Sequence, residues 1–178
     1  TYHCIIGRTV FGQTDILYFK RYDGMDYDSI ISKILYDHKR FRGGALASDV
    51  GAGDAYNMLL RKQIPAARHF MFNLVGNLLV PMAEPKKEHQ FNTYSLNRTD
   101  SLTTLFQAIR NKAIRCYSWN EAERHLLQFL NAYRVPIEKE GGNKFKYIKP
   151  GSKADDAMQA CNFASVLVRL MSGEPIVE

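Results

Sequence analysis

The last apolar segment of the chain restricts its fold more than any other feature. Between Lys153 and Met171, Ala157, Met158, Ala160, Cys161, Ala164, Val166, Leu167, Val168 and Leu170 occupy much of a helix circumference. A surface helix needs only one apolar stripe, whereas a helix apolar on most sides has to be covered from several directions. The spacing therefore predicts a buried helix, which the remaining elements must enclose.

Those elements alternate in period. His3 to Phe11 and Asp15 to Tyr22 are β-rich runs joined by a Gly12-Gln13 turn, the pattern of an antiparallel hairpin. Ile30, Ile31, Ile34 and Leu35 recur at helical spacing from Met25 to His38, with Asp26 or Asp28 to cap the start. Ala45 to Ser48 is a short strand ending on Asp49, and a helix capped by Asp54 follows. His69 to Val75 reads as a strand, and the stretch with Pro81, Pro85, Lys86 and Lys87 as a loop.

A helix begins at Thr99, a short strand covers Ala113 to Tyr117, and Trp119 to Tyr133 is helical again. Ile137 to Glu140 and Phe145 to Ile148 flank Gly141-Gly142-Asn143 as a second hairpin. The sum is an α/β domain with a mixed sheet and no internal repeat. At 178 residues and 46% hydrophobic content, one domain is expected. Its start at Thr1, directly before a strand, reads as a piece of a longer chain.

Several function classes are excluded. Phe70 to Pro81 stops well short of the roughly 20 apolar residues a membrane span needs. Cys4, Cys116 and Cys161 lack the spacing of a disulfide framework or a cysteine zinc site, which suits a reducing compartment. The five histidines lack the i, i+4 spacing of a zinc helix, and no phosphate-binding glycine loop is present. Ser152 and Cys116 have no context for covalent catalysis.

Carboxylates carry the remaining chemistry. Asp49 ends a small-residue strand before Val50-Gly-Ala-Gly53, where the glycines let a ligand approach the backbone; the alternative is an aspartate that only shapes a turn. Asp155 and Asp156 open the apolar helix. Adjacent helical residues point about 100° apart, so one of the pair faces the core side. Either they complement the helix dipole, or one is held inward by a cation. Carboxylates from a strand end and a helix start suit Mg²⁺ or Mn²⁺, and two such ions serve phosphodiester hydrolysis.

The net charge of +6 favours an acidic partner. Lys144, Lys146, Lys149 and Lys153 interleave with Phe145 and Tyr147 and are candidate contacts to a DNA backbone. In the competing account the aromatics enter the core and the lysines stay in water.

Taken together, Tyr18-Phe-Lys-Arg-Tyr-Asp-Gly24, Ala47-Ser-Asp49 with Gly51 and Gly53, Leu96-Asn-Arg-Thr99 and Lys149-Pro-Gly-Ser-Lys-Ala-Asp-Asp-Ala157 resemble the C-terminal nuclease domain of large terminase subunits of tailed bacteriophages. The resemblance covers nearly all of residues 1–178, departing at the front, and implies a ribonuclease H-like fold. It also implies two divalent ions held by Asp49, Asp155 and Asp156, with Asp156 the more direct ligand of its pair. Such domains carry a further catalytic aspartate on a strand preceding the hairpin, and no residue here matches it.

The resemblance implies a divalent-metal-dependent endonuclease that cuts concatemeric double-stranded viral DNA during genome packaging. Its partners would be the portal protein, the small terminase subunit and an upstream ATPase domain, in the host cytoplasm and with no membrane. Two alternatives stay open. One is another ribonuclease H-like nuclease of the junction resolvase or transposase type. The other is a noncatalytic DNA- or protein-binding module whose aspartates only cap helices.

Overall fold

The expected opening hairpin forms from β1 (Tyr2–Arg8) and β2 (Thr14–Arg21), paired antiparallel. Its turn is longer than the pattern implied. Thr9 N–H donates to the Gln13 carbonyl at 2.8 Å and Gly12 N–H to the Thr9 carbonyl at 3.0 Å. Gly12 takes φ +81°, which glycine adopts without steric cost. Val10 and Phe11, read as the end of the first strand, lie in this turn and are each 95% exposed.

The computed structural model describes residues 1–50, 54–75, 92–137 and 145–174. The expected loop around Pro81 to Lys87, the turn at Gly141-Gly142-Asn143, Lys144 and the glycines at 51 and 53 lie outside the described residues, as does the capping side chain of Asp54.

After the hairpin comes α1 (Tyr27–Arg40), capped by Asp26, whose carboxylate accepts from Ser29 N–H at 2.8 Å. Its apolar stripe of Ile30, Ile31 and Ile34 packs with Tyr22, Leu46, Leu60 and Ile64. β3 (Leu46–Asp49), β4 (His69–Val75) and β5 (Asn92–Asn97) then form a parallel three-stranded sheet in that order. The connection between β3 and β4 contains α2 (Asp54–Arg61). Phe70, Met71 and Phe72 of β4 are all buried, as a central parallel strand covered on both faces requires. β5 was not legible in the sequence: Asn-Thr-Tyr-Ser-Leu-Asn has little strand signal, and its extended form comes from pairing with β4.

α3 (Arg98–Arg110) follows directly, capped by Asn97, whose side chain accepts from Thr99 and Asp100 N–H. β6 (Ile114–Cys116) pairs parallel to β2, giving a second three-stranded sheet of order β1-β2-β6. The helix expected from Trp119 to Tyr133 is shorter. α4 (Trp119–Leu126) tightens into a 3₁₀ turn over Leu127–Asn131, and β7 (Tyr133–Pro136) is extended. Pro136 supplies one reason, because a proline pushes the residue before it out of helical geometry. β7 pairs with β8 (Phe145–Ile148), and residues 138–140 of the expected Ile137 to Glu140 strand lie outside the described residues.

The apolar helix α5 (Asp156–Ser172) begins three residues later than its periodicity suggested. Pro150 to Lys153 closes as a turn, with Lys153 N–H donating to the Pro150 carbonyl at 2.9 Å. Its first half, through Ala157, Met158 and Cys161, packs with Ile16, Phe19, Leu102 and Leu105. The second half, through Phe163, Val166 and Leu167, packs with Phe70, Phe72 and Leu96. The architecture is therefore α/β, with mixed sheets and flanking helices, and no described helix is long and apolar enough to cross a membrane.

The central place of α5 yields a stability prediction. Met158 is 0% exposed and Met171 58% exposed on the same helix. Met158→Ala should lower unfolding free energy by roughly 2–5 kcal/mol, through lost transfer energy and a residual cavity. Met171→Ala should stay within about 0.5 kcal/mol. Urea denaturation of both variants measures the difference.

Candidate functional site

Asp49 is the last residue of β3, and the backbone around it is fixed from two directions. Val50 N–H donates to the Phe72 carbonyl at 3.0 Å, and the Asn57 amide donates to the Asp49 carbonyl at 2.9 Å. Asn57, 2% exposed, also accepts from the Ser48 hydroxyl at 2.6 Å. Because Ser48 spends its only proton on Asn57, its oxygen has to accept from His69 Nε2, 2.8 Å away. This fixes His69 as the Nε2–H tautomer. Burial, and secondarily the charge of Arg61, depress the His69 pKa from 6.5 to about 4, so the ring is neutral at pH 7. Thus Ser48, Asn57 and His69 form a buried polar brace behind Asp49.

The Asp155 and Asp156 pair divides at the helix boundary: Asp155 is the N-cap residue, with non-helical φ −131° and ψ 12°, and Asp156 is the first residue of α5. Asp155 turns inward: its side chain is 8% exposed, with Oδ2 2.8 Å from Arg98 Nη2 and Oδ1 2.6 Å from Lys149 Nζ. A cation does hold one carboxylate inward, as the sequence allowed, but the cations found there are side chains of α3 and of the segment after β8. Both oxygens of Asp155 are already engaged by positive charge. Asp156 is exposed, and it lines the same cavity of about 670 Å³ as Asp49; Asp155 does not line that cavity. Folding thus brings Asp49 and Asp156 to one space from positions far apart in sequence. Among the described residues, no group of three or more His, Cys, Asp or Glu converges as a metal cluster.

The lysines also separate. Lys149 is tied to Asp155, while Lys146 and Lys153 are exposed. Tyr147 packs against Phe106 at 5.4 Å between ring centroids, and the Arg134 guanidinium lies 3.4 Å from the Phe145 ring centroid. Both hairpin aromatics are half-buried, Tyr147 against the core cluster and Phe145 beneath Arg134.

Sequence reasoning missed several contributors. Ser48, Asn57 and His69 come together only when β3, α2 and β4 pack, and no spacing marks them. Gln128 is another: its Oε1 accepts from Ala157 N–H at 3.0 Å and its amide donates to the Tyr2 hydroxyl at 2.6 Å, supporting the start of α5. Cys4 and Cys161 are remote in sequence but pack in one cluster, and burial, with the neighbouring Cys161 thiol second, pushes the Cys4 thiol pKa well up. The described cysteines are all free.

Two measurements follow. Asp155→Asn should destabilise the fold by roughly 2–3 kcal/mol, because it strands two cations and removes charge-assisted hydrogen bonds. Asp156→Asn should change stability by less than about 0.5 kcal/mol. Equal thermal shifts in the two variants would contradict the division between them. The histidine gives a pH signature. With a folded pKa of about 4 against 6.5 for the free side chain, the unfolded state binds the proton first as pH falls. The His69 contribution is complete above pH 6.5 and should shrink by roughly 2–3 kcal/mol on going to pH 4.5. Denaturant titrations at pH 7 and 4.5, compared with those of His69→Gln, read this loss; His69→Gln should show a flatter profile.

Against known proteins, the chain matches no protein-family model, no curated protein and no solved structure.

Proposed function

We propose that this chain is a divalent-metal-dependent nuclease domain of ribonuclease H-like type. It would cut double-stranded DNA as the nuclease domain of a large terminase subunit does in viral genome packaging. The observation that carries this reading is the cavity lined by both Asp49 and Asp156, with Asp155 withdrawn into ion pairs. A hairpin, a helix and then parallel strands, with an acid at the carboxyl end of β3, is the element order that favours the ribonuclease H-like assignment.

The donor set fits the ion chemistry. Two carboxylates offer only hard oxygens, which suits Mg²⁺ or Mn²⁺ over softer metals. Mg²⁺ commonly takes one or two protein carboxylates and completes its shell with waters and phosphate oxygens. When bound beside a phosphodiester, such ions supply an activated water and stabilise the leaving oxygen.

The chain's own residues do the positioning. The Asn57–Ser48–His69 brace holds the Asp49 backbone in place. Asp156 stands in the first turn of α5, where the helix dipole favours a negative charge. The +6 net charge and the exposed Lys146 and Lys153 favour a phosphate backbone as partner. The portal protein, small terminase subunit and upstream ATPase domain belong to this proposal through the same resemblance, as does the host cytoplasm as its place of action.

A second reading has its own observation. Since no group of three or more metal-binding side chains converges among the described residues, a noncatalytic DNA- or protein-binding module is the competing account. Calorimetric titration with Mn²⁺ separates the two, run beside a plasmid-nicking assay. The nuclease reading predicts that Asp49→Asn and Asp156→Asn each weaken Mn²⁺ binding at least roughly tenfold and remove whatever nicking the parent shows, without loss of fold. Binding isotherms of both variants that overlay the parent's would sink it.

A further inference from the structure

The charge of the chain is unevenly placed. Residues 38–48 and 55–75 hold Lys39, Arg40, Arg42, Arg61, Lys62 and Arg68 and no aspartate or glutamate, so these two stretches account for the whole formal excess of +6. The acids nearest to them in sequence point elsewhere. Asp37 is 6% exposed and accepts from the Tyr22 hydroxyl at 3.0 Å, while Asp49 stands at the carboxyl end of β3.

Folding gathers the cations at the amino end of the parallel sheet. α1 ends at Arg40 and closes tightly: Arg42 N–H donates to the Lys39 carbonyl at 3.0 Å and Gly43 N–H to the His38 carbonyl at 2.7 Å. Arg42 takes φ +53°, and a Cβ at Gly43 would overlap the His38 ring. The register Leu46↔His69 then sets Arg68, the last residue of a 3₁₀ turn over Ala66–Arg68, beside the entry to β3. Ile64 packs in one cluster with Ile34 and Leu46, which draws the connection carrying Lys62 and Arg68 against the second half of α1. Burial first, and the Arg68 charge second, lower the His38 pKa, as the proximity of Arg68 to the end of α1 requires.

Lys39, Arg40, Arg42, Lys62 and Arg68 are all exposed, and among the described residues none of them lies within ion-pair distance of a carboxylate. The negative end of the α1 dipole accounts for Lys39 and Arg40. It does not account for Arg68, which arrives from another element. Like charges gathered without acids repel one another, and a polyanion removes that repulsion. Ile34, Leu46 and Ile64 beneath the patch are buried, so it offers cations rather than the desolvated apolar centre of a protein interface. Guanidinium groups fit phosphate bidentately, and the exposed Tyr36, one turn before Arg40 on the same helix face, carries a hydroxyl of the kind that donates to phosphate.

We propose that Arg40, Arg42 and Arg68, with Lys39 and Lys62 beside them, form a binding surface for the phosphate backbone of duplex DNA. The surface is distinct from the cavity ends of Asp49 and Asp156. Asp49 lies opposite Phe72, four residues beyond Arg68, which is about 13 Å along the strand. The patch reads no base sequence, because its contacts are to phosphate alone. It shares a DNA partner with the nuclease reading but needs neither metal nor cleavage.

Fluorescence anisotropy with a labelled 20-base-pair duplex, in EDTA and across a salt series, tests the surface. Arg40→Gln, Arg42→Gln and Arg68→Gln combined should weaken binding at least roughly tenfold and lower the slope of log affinity against log salt by about 2–3. Lys20→Gln, Arg110→Gln and Lys112→Gln remove the same charge from exposed positions elsewhere and should cost far less. The three arginines changed to lysine keep the charge, and should keep the salt slope. Isotherms of the Arg→Gln variant that overlay the parent's, or equal losses in the two Gln variants, would overturn the surface. Polyglutamate that competes as well as duplex DNA at equal charge concentration would overturn the nucleic-acid partner. EDTA removes divalent metal throughout, so failure of Mn²⁺ binding at Asp49 and Asp156 leaves these outcomes unchanged.

Discussion

The structure depends on enclosing α5. Its N-terminal half belongs to the cluster formed with β2 and α3, and its C-terminal half to the cluster formed with the parallel sheet. One helix therefore supplies apolar surface to both sheets, and neither sheet has an equivalent substitute for it. Each fully buried aliphatic or aromatic side chain there contributes about 1.5–3 kcal/mol from leaving water. Two polar contacts tie α5 to neighbouring elements: Asn162 donates to the Ser101 hydroxyl at 3.0 Å, and Gln128 accepts from Ala157 N–H.

The first turn of α5 shows how one helix start serves two purposes. Asp155 is the non-helical N-cap and Asp156 the first helical residue, and the two side chains enter different environments. Asp155 meets Arg98 and Lys149 and ties α5 to α3 and to the segment after β8. A carboxylate this buried needs such compensation, since an unpaired one is strongly disfavoured. Asp156 keeps an open side towards the cavity, which is where a functional role for the pair has to be sought.

Behind Asp49 the same logic runs through neutral groups. Ser48, Asn57 and His69 hydrogen-bond in a fixed donor–acceptor order, and the low His69 pKa keeps that order over the neutral range. A second buried hydrogen bond joins Tyr22 to Asp37 at 3.0 Å, and burial lowers the nearby His3 pKa to about 4. Polar groups of this kind are high-stakes in a low dielectric, because each lost partner leaves an unsatisfied group.

Local pattern was enough to determine the elements whose signal lies within a few residues: the opening hairpin, the Asp26-capped helix, the strand ending on Asp49 and the apolar C-terminal helix. Periodicity is set by side-chain transfer free energy along one segment, so it survives without knowledge of neighbours. β5 and β7 were not legible, because their extended form is decided by pairing with β4 and β8. The site divided along the same line. The sequence by itself determined that acids stand at a strand end and at a helix start. Only the tertiary structure decided that Asp155 is neutralised by Arg98 and Lys149, that Asp156 shares a cavity with Asp49, and that Asn57 and His69 brace the backbone. The physical reason is that direction, burial and charge compensation are properties of packed surfaces, which residues distant in the chain create together.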